Sequence, residues 1–161
     1  MNPTPAELEK VLADWQAFAQ TKVYAFRGIS DAAYRMFAPA YFRAIVERSR
    51  VYVLRDNGAM VACVVTEDVP DSDTVIVHWC WTEFAHRNTD CQDILWEKSG
   101  LLDHNVFISH LTVLAEKFCA KYGFLFNPFP LYKGGLRDSS EQSETEAGHD
   151  NPYQRVDVHG R

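Results

Sequence analysis

Apolar side chains recur at helical spacing at the start of the chain: Leu8, Val11, Leu12, Trp15 and Phe18 fall on one face. Thr4-Pro5-Ala6-Glu7 just ahead has the form of a capping box, with proline at the first helical position, where its missing N–H costs nothing. A second helical stretch covers about 30–48. Tyr34, Phe37, Tyr41 and Ile45 form its stripe, and Pro39 is placed to kink or split it. The pattern then turns β-branched. Residues 51–55 and 59–66 read as a hairpin around Asp56-Asn57-Gly58, with Gly58 suited to a positive φ. After a second turn at 69–73, residues 74–82 are almost continuously apolar, as in a central strand covered on both faces.

Beyond that strand, 91–98 reads as a helix stopped by Gly100. Residues 105–112 fit strand and helix equally well. A helix over 113–122 carries Leu114, Phe118 and Tyr122 on one face, Lys117 and Lys121 near its end, and Gly123 as its stop. Two prolines limit 124–131 to a short edge strand. From about 132 onward the chain is polar and acidic, so it divides into one domain, 1–131, and a tail, 132–161, ordered only through contacts.

Composition narrows the function classes. At 47% apolar and 13% aromatic, 161 residues suffice for one globular core. No apolar run is long enough to span a membrane, and the N-terminus has no secretory pattern, which predicts a cytosolic place of synthesis. Cys63, Cys80, Cys91 and Cys119 lie far apart and read as reduced thiols. The net charge of −6 is concentrated in Asp138, Glu141, Glu144, Glu146 and Asp150; the remainder holds 17 acids against 16 bases, which argues against a dedicated nucleic-acid surface. His78, His86, His104 and His110 show no metal-ligand spacing, so no metal is expected. No nucleophile elbow or phosphate-binding P-loop is present. Trp79 and Trp81 share a strand face if the strand is unbulged, and read as core.

The ordered pieces are Trp15 in the first helix, VYVLR…VACVV, VHWCWTEFAHR, Ser109-His110-Leu111-Thr112, Lys121-Tyr122-Gly123 and Asn127-Pro128-Phe129. In this order they resemble the GNAT (N-acetyltransferase) superfamily, and most closely small GNAT-like proteins of tailed bacteriophages. The resemblance implies an α/β (α+β) fold: a central mixed, twisted sheet flanked by helices. It also implies an acetyl-CoA site. Trp81 and Thr82 would hold the pantetheine arm, Arg87 and Asn88 would belong to the pyrophosphate turn, Glu83 would be the base and Tyr122 the acid, if the protein is active.

The turn departs from the superfamily's Gln/Arg-x-x-Gly-x-Gly/Ala. Here it reads Arg87-Asn88-Thr89-Asp90-Cys91-Gln92, with Asp90 and Gln92 where small residues let backbone N–H groups close on pyrophosphate. A carboxylate about 5 Å from a phosphate charge costs roughly 3 kcal/mol at an effective dielectric near 20, or about a hundredfold in affinity. Thr89 or Asp90 instead suits the helix as an N-cap. No cofactor is therefore expected, with acetyl-CoA the cofactor of the active alternative. If the coenzyme gap has closed, Trp79 or Phe107 would fill it.

The functional expectation is a phage-encoded GNAT-fold protein that has lost acetyl transfer. It would serve as a structural or assembly component of the particle through protein contacts, with homo-oligomerisation open, in the host cytoplasm and then the virion. The alternative is an active acetyl-CoA-dependent N-acetyltransferase acting on a host protein or small amine. A third reading is a free protein that occupies a host partner's surface.

Overall fold

A computed structural model describes residues 2–23, 26, 28–87 and 89–128. The expected tail and Asn88 lie outside the described residues.

Helix α1, Pro5–Lys22, opens on the capping box: Glu7 N–H donates to Thr4 Oγ1 at 3.3 Å and Thr4 N–H to Glu7 Oε2 at 2.7 Å. Val11, Leu12, Trp15 and Ala19 form its buried stripe. Helix α2, Asp31–Arg48, runs through Pro39 without a break, contrary to expectation. Pro39 lies on the exposed face, and burial of Ala38 and Phe42 on either side holds the helix together. The stripe is also corrected. Tyr34, Ala38, Phe42 and Ile45 are buried while Phe37 is 67% exposed. At about 100° per residue, Phe37 sits roughly a quarter-turn from the stripe's centre.

Strands β1 (Arg50–Asp56) and β2 (Ala59–Asp68) form the expected hairpin. Asn57 and Gly58 have φ of 48° and 82°, the pair of left-handed residues that a tight two-residue turn requires. Strand β3, Thr74–Thr82, lies antiparallel to β2. Helix α3 (Cys91–Ser99) then leads to β4 (Asn105–Ile108), and helix α4 (Val113–Tyr122) to β5 (Leu125–Phe126). β4 and β5 run parallel to β3, so the five-stranded sheet is mixed, in the order β1-β2-β3-β4-β5. The ambiguous 105–112 segment is strand only to Ile108.

The sheet separates two cores. α1 and α2 cover one face through Trp15, Phe42, Val53, Cys63 and Trp79. α3 and α4 cover the other through Val64, Val77, Leu95, Trp96, Ile108 and Ala115. On α4, Leu114, Phe118 and Tyr122 share one face as expected, while the buried position is Ala115 and Leu114 is 51% exposed.

One irregularity positions the site. Val65 pairs with Trp79 while Thr66 pairs with Val77, leaving His78 as the extra residue of a bulge in β3. The bulge reverses the alternation: Val75 and Val77 face the α3/α4 core, whereas Trp79 and Trp81 face α1 and α2. The last β3–β4 pair is Val77 with Ile108. At His78, therefore, the two parallel strands part company.

Candidate functional site: a cleft between parting strands

The parting of β3 from β4 leaves a cleft of about 680 Å³. His78 to Thr82 form one wall, and Ile108, His110 and α4 form the other. Neither expected plug fills it. The Trp79 ring stacks on Trp15 at 6.0 Å between centroids, and Phe107 is not among the lining residues.

At the mouth stands the N-terminus of α3. Trp81, Thr82, Arg87 and Tyr122 all line the cleft, so the structure gathers four of the sequence-derived site residues. Glu83 does not line it. Its Oε1 accepts the Phe84 N–H at 3.0 Å, in the short 3-10 turn of Phe84–His86. Thr82 Oγ1 donates to Gln92 Oε1 at 2.8 Å, and Arg87 Nε donates to the Thr82 carbonyl at 3.3 Å. The turn thus folds back on its own strand. Of the two expected caps, Thr89 Oγ1 accepts the Cys91 N–H at 3.4 Å, but Asp90 makes no side-chain cap bond. Its carboxylate stays exposed at the N-cap position.

Asp93, in the first turn of α3, binds across the mouth. Its carboxylate accepts from Lys121 Nζ at 2.9 and 3.1 Å and from the Tyr122 hydroxyl. The Tyr122 hydrogen bond, then Lys121, holds Asp93 below the usual carboxylate range. Burial, then Asp93, pushes the Tyr122 phenol up. Lys121 and the Tyr122 phenol are thereby already engaged by an internal anion.

The floor is built differently. His78, buried on the bulge, makes hydrogen bonds at both ring nitrogens: Nε2 to Glu67 Oε2 at 2.8 Å and Nδ1 to Ser109 Oγ at 2.9 Å. Ser109 Oγ also meets His110 Nδ1 at 2.8 Å. Arg48 Nε donates to the same Glu67 oxygen at 2.8 Å. Burial, against the opposing pull of Glu67, holds His78 below its ordinary value, so we read the His78–Glu67 contact as a neutral ring donating to a carboxylate. Burial, then His78, pushes His110 down to about 3. For Glu67, burial works to raise the carboxyl, but bonds from His78 and Arg48 outweigh it. Sequence reading treated these histidines as scattered structural residues. The available signal was one imidazole inside an otherwise apolar strand, TVIVHWCWT.

Among the described residues, no cluster of His, Cys, Asp or Glu is placed to hold a metal ion. None of the helices there is long and apolar enough to cross a membrane. All four cysteines are free thiols.

Neither a protein-family model nor a curated protein sequence matches the chain. Solved structures do. One is described as histone acetyltransferase HPA2 and related acetyltransferase from Corynebacterium glutamicum, at 14% identity over 76% of this chain and 82% of that one, with a TM-score of 0.55. Another is a tetramutant of the BH1408 protein from Bacillus halodurans, at 16% identity over 77% and 91%, with a TM-score of 0.50. At such identities the likeness is one of fold. The chain has the architecture of the GNAT acetyltransferases, a mixed five-stranded sheet flanked by helices.

Proposed function

We propose that this protein is a GNAT-fold contact protein that no longer transfers acetyl groups from coenzyme A. The observation that carries this reading is the Asp93 bridge at the α3 N-terminus. A coenzyme pyrophosphate at that helix end would meet the carboxylate of Asp93 in the first turn, already paired with Lys121, and a second negative charge on the exposed Asp90 at the N-cap. The glycines that would let backbone approach the phosphate are absent. Contact surfaces are present instead. Met36 and Phe37 on α2 are 71% and 67% exposed, Val113 at the start of α4 is 63% exposed, and Leu125 on the edge strand β5 is 60% exposed.

The partners we propose are other virion or assembly proteins of a tailed bacteriophage, met in the host cytoplasm and retained in the particle. Support for this placement is the resemblance of the ordered sequence pieces to small phage proteins, which is an argument from analogy. Mass spectrometry of purified particles tests it, and particles without this chain would end it.

A second reading is favoured by the open cleft: an acetyl-CoA-dependent N-acetyltransferase acting on a host protein or small amine. There Trp81 and Thr82 would hold the pantetheine arm, and Tyr122 would act as the acid. Calorimetry with acetyl-CoA, paired with a thiol-release assay, separates the two. We expect neither heat nor thiol from the wild type at millimolar cofactor. The double variant Asp90→Gly/Gln92→Gly should gain affinity by up to about a hundredfold. Micromolar binding by the wild type would sink the contact reading.

A further inference from the structure

Three buried polar atoms beside the cleft have no hydrogen-bond partner: Trp79 Nε1 and His110 Nε2, whose residues line it, and Trp15 Nε1, whose ring packs behind them. Their rings are neighbours. Trp15 lies 5.6 Å from His110, edge to face, and 6.0 Å from Trp79, stacked. Each orphaned atom costs on the order of 1–3 kcal/mol, and native interiors seldom leave three together.

Their chemistry follows from one fixed point. The Glu67 carboxylate can only accept, so His78 Nε2 carries the proton it donates. Neutral His78 then has a lone pair on Nδ1, which at 2.9 Å takes the Ser109 hydroxyl proton in preference to the Val77 carbonyl at 3.3 Å. Ser109 Oγ, its proton spent, accepts from His110 Nδ1–H at 2.8 Å. His110 is thus held as the Nδ1–H tautomer, and its Nε2 is a bare acceptor. The two indole nitrogens can only donate. Around this end the surroundings are apolar: Phe18 and Val23 line the cleft, and the Phe26 ring lies 5.9 Å from His110.

We propose that the closed end of the cleft is a binding subsite for a neutral, largely apolar ligand bearing one hydroxyl or amide group, which donates to His110 Nε2 and accepts from an indole N–H. All three atoms are sealed in this conformation. Phe18, which lines the cleft against the Trp79 ring and is only partly buried, is the side chain whose turning would admit the ligand. Glu67, His78 and Ser109 are positioning residues that set the tautomer. The subsite is independent of whether the mouth accepts a pyrophosphate.

The test uses the full chain, with phenol as probe and toluene as its counterpart lacking a hydroxyl. Nitrogen-15 NMR of the histidine rings should first show His110 protonated at Nδ1. Phenol should then bind about three- to tenfold more tightly than toluene, the worth of one hydrogen bond, and should move the His110 Nε2 resonance while toluene does not. Ser109→Ala should mix the His110 tautomers, a signature that a packing role would not produce. His110→Phe should abolish the preference for phenol, and Phe18→Ala should strengthen binding of both probes. A wild-type His110 protonated at Nε2, equal or absent binding of the two probes, or a silent Nε2 resonance would overturn the proposal.

Discussion

The two ends of the cleft solve the same electrostatic problem in opposite ways. At the mouth, Asp93, Lys121 and Tyr122 meet near the surface. The Lys121 and Asp93 side chains are 58% and 49% exposed, so solvent screens every charge. At the floor, the His78 side chain is fully buried and Glu67 is 19% exposed, so each proton has a fixed address. The mouth can lose a partner and let water replace it. The floor cannot. A charge at the mouth is therefore easily changed, whereas altering the floor puts folding at risk.

Acid should expose this contrast most strongly. The His110 value falls from about 6.5 in the unfolded chain to about 3 in the folded one. A histidine whose folded value is depressed binds its proton more readily when unfolded. Stability is therefore full above 6.5 and is lost as pH falls from there toward 3. Between pH 6.5 and 5 the loss from His110 is about 2 kcal/mol. His78, depressed by burial against the pull of Glu67 beside it, with the Arg48 charge beyond adding to the depression, acts in the same direction. This window lies above the ordinary carboxylate range, so Glu67 and Asp93 stay ionised throughout. Urea unfolding across it should show the decline, and a flat profile would mean that the floor is not dry.

Removing one carboxylate at each end sharpens the comparison. Glu67→Ala strands the buried His78 Nε2–H and frees Arg48. It should cost roughly 1–3 kcal/mol in urea unfolding at neutral pH. The variant should also steepen the acid-induced decline, because the partner that raises the folded His78 value is gone.

How legible each end was in the sequence follows the same division. The capping box, the hairpin turn, the whole of β3 and the two glycine-stopped helices were readable because each is decided by neighbours a few residues apart. The connection from β3 to α3 was readable too, since Arg87 to Gln92 spans six consecutive residues. The floor was not. His78 meets Glu67 eleven positions away and Ser109 thirty-one positions away. Its bulge inserts one residue into a strand whose composition gives no sign of it. Phe37 was misplaced for a related reason. Helical spacing fixes which side chains share a face, but the packing partner decides which edge of that face is covered.

The mouth should give the smallest effect, and it tests the comparison from the other side. Asp93→Asn keeps the size of the side chain and removes its charge. Lys121 then turns to water at little cost, so stability should change by less than about 1 kcal/mol. The Tyr122 phenol, which Asp93 helps to hold up, should ionise at lower pH, visible in the ultraviolet tyrosinate band. Freed Lys121 and the α3 N-terminus should also bind inorganic phosphate more tightly than the wild type does, because the competing internal anion is gone. If Asp93→Asn instead destabilised the chain as much as Glu67→Ala, the bridge would be structural. Its presence would then say nothing about the loss of a phosphate site.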